Sequence, residues 1–326
     1  MKRKLLFVWV GLIVYCTLFS AVFAQAPQET TVQKDVIYGQ SENVDLKLDL
    51  AKPDSGNGPA PAVVCIHGGG WQLGNKSSYE PVIRQLAAHG YVAAAVEYRL
   101  TPKYRWPAQI HDVKCAVRYL RAHSKELNID PDKMAALGDS AGGHLALLLG
   151  LMDPKDDFEG TGGNSEYPSK VQAVINYYGP ADFRVWHVSP EGEPGVQQAY
   201  GKDPEAVLAD FLGTSDRTAP VMVQVSPITY VNTGDPPILT FHGSSDPLVP
   251  VEQARMLHAT LEKAGVPQKL VILEGAGHGW SGQQLEETSQ QSLQFLESVF
   301  KPTPPSAVKS KNGTNNFSRG IQSVSK

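Results

Sequence analysis

The segment Met134–Gly150 reads MAALGDSAGGHLALLLG, and its interpretation decides the fold. A short apolar run predicts a buried strand over Met134–Gly138. The run AGGHLALLLG from Ala141 is apolar on every side, as a helix buried in a large core must be. Between them Gly138-Asp139-Ser140-Ala141-Gly142 has the form G-x-S-x-G, in the context where that form has mechanical meaning: strand, tight turn, helix. The flanking glycines admit a strained turn that presents the Ser140 hydroxyl at the sheet edge. The start of the following helix aims backbone N–H groups at whatever Ser140 attacks. Ser140 is therefore a candidate nucleophile.

A serine hydroxyl needs a base, and the base needs an orienting acid. After a turn of this type the acid and then the histidine follow in chain order, at the ends of later strands. The apolar run KLVILEG ends at Gly275 and leads into AGHGW, which places His278 on a glycine-flanked loop. The run ILTFHG ends at Gly243 and leads into SSDPLVP, which places Asp246 on the loop before it. Asp182, after NYYGPA, is the rival acid, whereas Glu274 is too near His278 in the chain to fold back easily. His144 and His242 are expected to be packing or hydrogen-bonding residues, and the remaining histidines fall on helical or inserted segments.

A third stretch completes the set. Pro61–Gly74 reads PAVVCIHGGGWQLG, in which a buried strand enters His67 and three glycines. Consecutive glycines carry an entropic cost that a turn closely approached by other atoms would justify. An attacked carbonyl develops negative charge on its oxygen, and an H-G-G-G loop after the third strand supplies N–H donors for it. Gly69 and Gly70, with Ala141, are the predicted oxyanion-hole residues. No G-x-G-x-x-G occurs here, and Asn75 stands where a phosphate loop needs lysine. Trp71 and Trp280 flank the glycines and the histidine, and are expected either to line a substrate pocket or to belong to the core.

The rest of the chain alternates in the same way. Strands are expected around Val32–Tyr38, Val44–Leu50, Ala62–Ile66, Tyr91–Glu97, Val171–Gly179 and Pro236–Gly243, besides the two at Met134 and Lys269. Helices are expected over Tyr79–His89, from Pro107 along Ile110, Val113, Val117 and Leu120, over Val251–Ala264 and over Gln284–Phe300. This predicts an α/β architecture with a mostly parallel eight-stranded sheet covered by helices on both faces. Met152–Lys170 reads as a loop, and residues 182–235 are too long for a simple connection and are expected to form a cap-like insertion.

The ends read differently. Lys2, Arg3 and Lys4 precede an apolar run from Leu5 to Ala24 and an Ala-Gln-Ala site, the pattern of a cleaved signal peptide over residues 1–26. The alternative is a retained anchor, because some 20 apolar residues suffice to cross a bilayer. Residues 301–326 are rich in Pro, Ser and Asn, carry five basic side chains and no acidic one, and are expected to be disordered. Both ends are basic, so the 27–300 domain is more acidic than the net charge of −4 of the whole chain. That balance speaks against nucleic-acid partners and against stable membrane association after cleavage. Of three cysteines Cys16 lies in the leader, and Cys65 and Cys115 have neither metal-ligand spacing nor the number for a disulfide framework. None of these motifs calls for a cofactor or a metal.

Six blocks in order, HGGGW, EYRL, WPAQIHDVKCAVRYLR, GDSAGGHLALLL, HGSSDPLVP and GAGHGW, resemble the α/β-hydrolase serine esterases over about residues 34–300. The sequence is similar to the hormone-sensitive-lipase-like branch and more so to bacterial carbohydrate esterases of the BD-FAE type. It departs from the former in having little room before Val44 for that branch's N-terminal helical cap. The resemblance implies a secreted or periplasmic enzyme that removes acetyl or feruloyl groups from plant polysaccharide such as xylan. Ser140, His278 and Asp246 would then act through an acyl-enzyme. A general short-chain carboxylesterase or lipase fits the same residues. A prolyl-oligopeptidase-like peptidase shares the turn and triad but carries a propeller-like N-terminal domain that the sequence does not show. A hydrolase fold kept only for binding would be expected to lose one of these residues, and all are present.

Overall fold

The computed structural model describes residues 30–54 and 58–300. The expected leader and basic tail lie outside the described residues. Eight strands form one sheet: β1 (Val32–Ser41), β2 (Val44–Ala51), β3 (Ala60–Ile66), β4 (Val92–Val96), β5 (Ile129–Asp139), β6 (Ala173–Tyr177), β7 (Ile238–Gly243) and β8 (Gln268–Leu273). Their spatial order is β1-β2-β4-β3-β5-β6-β7-β8. The β1–β2 hairpin is antiparallel and β2 also runs antiparallel to β4, while every other pair is parallel. This is an α/β-hydrolase fold.

The sheet is buried on both faces, which is why its strands read as continuous apolar runs. Alternate residues divide between two cores. Ala62, Val64, Ile66, Val92, Ala94, Val96, Met134, Ala136 and Val174 face one side. Val63, Cys65, Ala93, Ala95, Ala135, Leu137, Ala173 and Ile175 face the other. The first face is covered by α2 (Ala108–Ala122), α3 (Ser124–Leu127), α4 (Ala141–Leu151) and α8 (Glu252–Lys263), and the second by α1 (Glu80–Ala88) and α9 (Gln283–Phe300). Every residue of α4 is buried, as its unbroken hydrophobicity requires.

The structure extends some sequence expectations. β5 starts at Ile129 rather than Met134, because its polar first residues pair only at Ile129 before the ladder with β3 resumes. Val44–Leu50 alternates as a half-buried strand should, yet Asp49 on it is buried and held by Lys34 at 2.8 Å and Lys76 at 3.1 Å. Residues 152–170 hold only one 3₁₀ turn, and Glu159 within them binds the buried Lys114 and Arg118 of α2. Cys65 and Cys115 are free and buried.

The segment between β6 and β7 contains α5 (Glu193–Tyr200), α6 (Pro204–Leu212) and α7 (Pro220–Gln224). Proline in the first turn of each, and glycine in the left-handed conformation after α5 and α6, punctuate it. Among the described residues no helix is long and apolar enough to cross a membrane.

Candidate active site

All the predicted polar residues arrive at one edge of the sheet, because parallel strands end together there. Ser140 follows β5 with φ +51°, and its amide donates to the Tyr177 carbonyl at 2.8 Å. The turn is possible only without side chains beside it. A Cβ on Gly138 would strike the Gly142 carbonyl, and one on Gly142 would strike the Ile66 carbonyl of β3. Both glycines of the G-x-S-x-G pattern thus serve close approach, the second letting α4 lie directly on the neighbouring strand.

The three candidate catalytic side chains are in register. Ser140 Oγ stands 2.8 Å from His278 Nε2, and His278 Nδ1 stands 2.8 Å from Asp246 Oδ2. Asp246 Oδ1 accepts from the Leu248 and Val249 amides, each at 2.9 Å. Burial pushes the Asp246 carboxyl up, but hydrogen bonding to His242 and His278, the charge of His278 and the Val249 amide together hold it well below the usual carboxylate range. An ionised Asp246 requires the proton of His278 on Nδ1, which leaves Nε2 free to accept from Ser140. The rival acid is spent elsewhere: Asp182 holds Arg184 in a two-point bridge at 2.7 and 2.8 Å.

The glycine loop is pinned from several sides. Asp139, the variable residue before Ser140, accepts from the Gly68 amide at 3.0 Å and from the Tyr79 hydroxyl at 2.7 Å. Tyr98, of the EYRL block, donates to the His67 carbonyl at 3.0 Å, and its ring stacks on the imidazole. Gly69 has φ +112°, and a Cβ there would meet the Leu73 carbonyl. The bare backbone at Gly69 is thus dictated by the turn itself, beyond any need to admit a ligand. The Gly69 and Gly70 amides donate to no acceptor among the described residues. Ala141, first residue of α4, is among the N–H groups that a helix leaves without an internal partner.

Sequence reading missed Asp139, Tyr79 and Tyr98 as supports. The signal for the first lay inside the G-D-S motif; the other two are ordinary aromatic residues that only the fold brings near.

The two tryptophans part company. Trp71 is 2 % exposed, stacks on Phe211 with centroids 4.1 Å apart, and donates to His144 Nδ1 at 3.3 Å. It nonetheless reaches the wall of the cavity over Ser140. His144 donates from Nε2 to the Val225 carbonyl at 2.7 Å, and burial lowers its pKa to about 3, so it is a neutral tether. Trp280 stands off that cavity: its indole N–H donates to Thr288 of α9, and its ring packs beside Tyr177 and Tyr178. His242 is likewise committed, donating to the Val249 carbonyl at 2.7 Å.

Above Ser140 lies a cavity of about 260 Å³. Its floor is Gly69, Gly70, Asp139, Ser140 and His278, and its walls include Trp186, Val188, Val196, Tyr200 and Val207 from the insertion. Among the described residues no cluster of three or more His, Cys, Asp or Glu side chains is placed to hold a metal ion. Chemically, the arrangement can pass a proton from Ser140 to His278 while unpaired amides face the oxygen of a bound carbonyl.

Comparison with known proteins places this fold among esterases. The chain is 35% identical to the probable carboxylic ester hydrolase LipM of Mycobacterium tuberculosis over 225 residues, 67% of this chain and 48% of that protein. It spans about half to two thirds of the length of the curated relatives it matches first. The propionate-bound esterase Est2 of Thermogutta terrifontis superposes with a TM-score of 0.68 at 30% identity, covering 85% of this chain and 97% of that one. A truncated carbohydrate esterase from gut microbiota superposes with a TM-score of 0.66 at 26% identity, covering 83% and 97%. The BD-FAE family model matches residues 48–261, more than half of the sequence, a span that includes Ser140 and Asp246 and ends before His278. By that match, and by the fold and residue geometry it accompanies, the chain belongs to the BD-FAE family.

Proposed function

We propose that the protein is a serine esterase that cleaves carboxylic esters through an acyl-enzyme, with acetyl or feruloyl groups on plant polysaccharide as its substrates. The observation that carries the reading is the unbroken chain from Ser140 through His278 to Asp246, two 2.8 Å links long, beneath unpaired amides. In the proposed cycle His278 takes the proton of Ser140 as Oγ attacks the ester carbonyl. The amides of Gly69, Gly70 and Ala141 meet the negative oxygen. Collapse expels the alcohol with the proton from His278, leaving Ser140 acylated. Water then repeats the sequence, with His278 as base again, and releases the acid and free Ser140.

The walls suit the acyl part of an ester, since Trp71, Val196, Val207 and Leu248 line the cavity with apolar surface. The carbohydrate part of the reading is supported by a structural neighbour described as a carbohydrate esterase. The leader-like sequence and acidic domain fit action outside the cytoplasm, in the periplasm or beyond. The test is release of acetate and ferulate, side by side, from acetylated and feruloylated xylan, with p-nitrophenyl acetate and a dipeptidyl-prolyl amide as controls. Acyl release from xylan with no amide cleavage is the expected result. Turnover of the aryl ester alone removes the polysaccharide assignment, and amide cleavage in place of ester cleavage overturns the esterase reading.

A further inference from the structure

The insertion brings one polar group to the Ser140 cavity that no motif announces. Tyr200 is the last residue of α5, and its ring lines the cavity together with Gly69, Gly70 and Ser140. Its position is close: a Cβ built on Gly70 would lie 2.5 Å from the Tyr200 hydroxyl and 2.8 Å from the carbon that bears it. The hydroxyl therefore rests against the face of the glycine loop, and any side chain at residue 70 would displace it. The hydroxyl is not one of the buried, unpartnered side-chain atoms, so it is open to the cavity, where a bound molecule can meet it.

Tyr200 is also held in place. Gly201 caps α5 in the left-handed conformation, and its amide donates to the Gln197 carbonyl at 2.9 Å. Next along the chain, α6 is tied to the glycine loop: Gln72 donates to the Val207 carbonyl at 3.2 Å, and Phe211 stacks on Trp71. The helix that follows Tyr200 is thus fastened to the glycine loop at two points.

We propose that Tyr200 is a catalytic residue whose hydroxyl donates a hydrogen bond to the carbonyl oxygen of the bound ester, beside the amides of Gly69 and Gly70. The proposal rests on the esterase reading above and deepens it. Burial raises the pKa of the phenol, so it stays a donor well into the alkaline range. Its value in catalysis comes from the same source as that of the amides: a donor already in place gains strength as the oxygen becomes negative. It also gives the insertion a chemical task, since the oxyanion site is incomplete without α5.

The test is Tyr200→Phe in the full chain, which removes one oxygen and little packing. Turnover of p-nitrophenyl acetate and of an alkyl acetate is measured with the rate at which a fluorophosphonate labels Ser140. The expected result is a fall in kcat of about 10- to 100-fold on both esters with KM within about threefold. The labelling rate falls by a similar factor, because the phosphonyl oxygen occupies the same site. Unchanged kcat with normal labelling overturns the proposal and leaves the esterase reading standing. A rise in KM alone also overturns it and assigns the hydroxyl to the alcohol portion. Wild-type protein that neither labels nor turns over any ester overturns both.

Discussion

Two regions build the cavity, and they are made in opposite ways. The sheet edge, from Gly68 to Gly70 and from Gly138 to Gly143, is held by backbone approach and short polar links through Asp139, Tyr79 and Tyr98. The insertion between β6 and β7 contributes Trp186 and Val188 from the stretch before α5, and Val196, Tyr200 and Val207 from the short helices α5 and α6. The first region leaves almost no freedom to its residues, since a methyl group at several positions has nowhere to go. The second faces the cavity with side chains and meets the glycine loop through side-chain contacts, Gln72 with Val207 and Trp71 with Phe211. Positioning of the reacting atoms therefore belongs to the sheet edge, and the shape of what fits belongs to the insertion.

This division is open to test, and the largest effect is expected at the sheet edge. His278→Ala should lower kcat on p-nitrophenyl acetate by about 10⁶-fold, and Asp246→Asn by about 10⁴-fold, with the thermal unfolding midpoint little changed. Steady-state kinetics beside a melting curve decides this. A loss below about tenfold for either variant would mean that the aligned residues are not the working set.

Next comes Asp139→Ala, which frees the Gly68 amide and the Tyr79 hydroxyl without touching the triad. It should cost about 10- to 100-fold in kcat and leave KM within about threefold, as expected when oxyanion donors lose their alignment. An effect on KM alone would place Asp139 with the specificity walls instead.

A smaller and more selective effect is expected at the insertion. Val196→Ala should enlarge the cavity and raise kcat/KM for p-nitrophenyl butyrate relative to the acetate by about tenfold, the worth of one or two methylenes in an apolar pocket. A uniform loss on both esters would show that the insertion positions as well as shapes.

The smallest effect concerns stability. His144 is neutral and buried between Trp71 and Val225, with its pKa lowered to about 3. Unfolding lets it take up a proton at acidic pH, so its contribution is present above the ordinary histidine range and is lost as pH falls from about 6.5 towards 3. Urea unfolding midpoints should decline over that window, and His144→Gln should flatten the slope by about one proton. An unchanged slope would mean that His144 is not the group responsible.

How far the sequence could be read follows the same boundary. Ser140, Asp246, His278 and the glycine loop were legible because each stands directly after a strand, in a local pattern that one stretch of chain contains. The sequence left Asp182 as a rival to Asp246, since each follows a strand; in the structure Arg184, two residues on, occupies Asp182, whereas Asp246 meets His278. Trp71 and Trp280 were not separable, since each adjoins a motif equally closely; their partners, Phe211 and Thr288, lie far along the chain. Tyr200 and Val196 carry no local signal at all. They matter only because helices separated from Ser140 by more than fifty residues fold back over it.

The central claim is that Ser140 is the nucleophile of an acyl-transfer cycle, and intact-protein mass spectrometry tests it most directly. A fluorophosphonate should add one phosphonyl group per chain, mapped by peptide sequencing to Ser140, with p-nitrophenyl acetate turnover falling in step. Ser140→Ala should take up none and should retain its fold. Labelling at another residue, or ester turnover that survives in Ser140→Ala, would contradict the account.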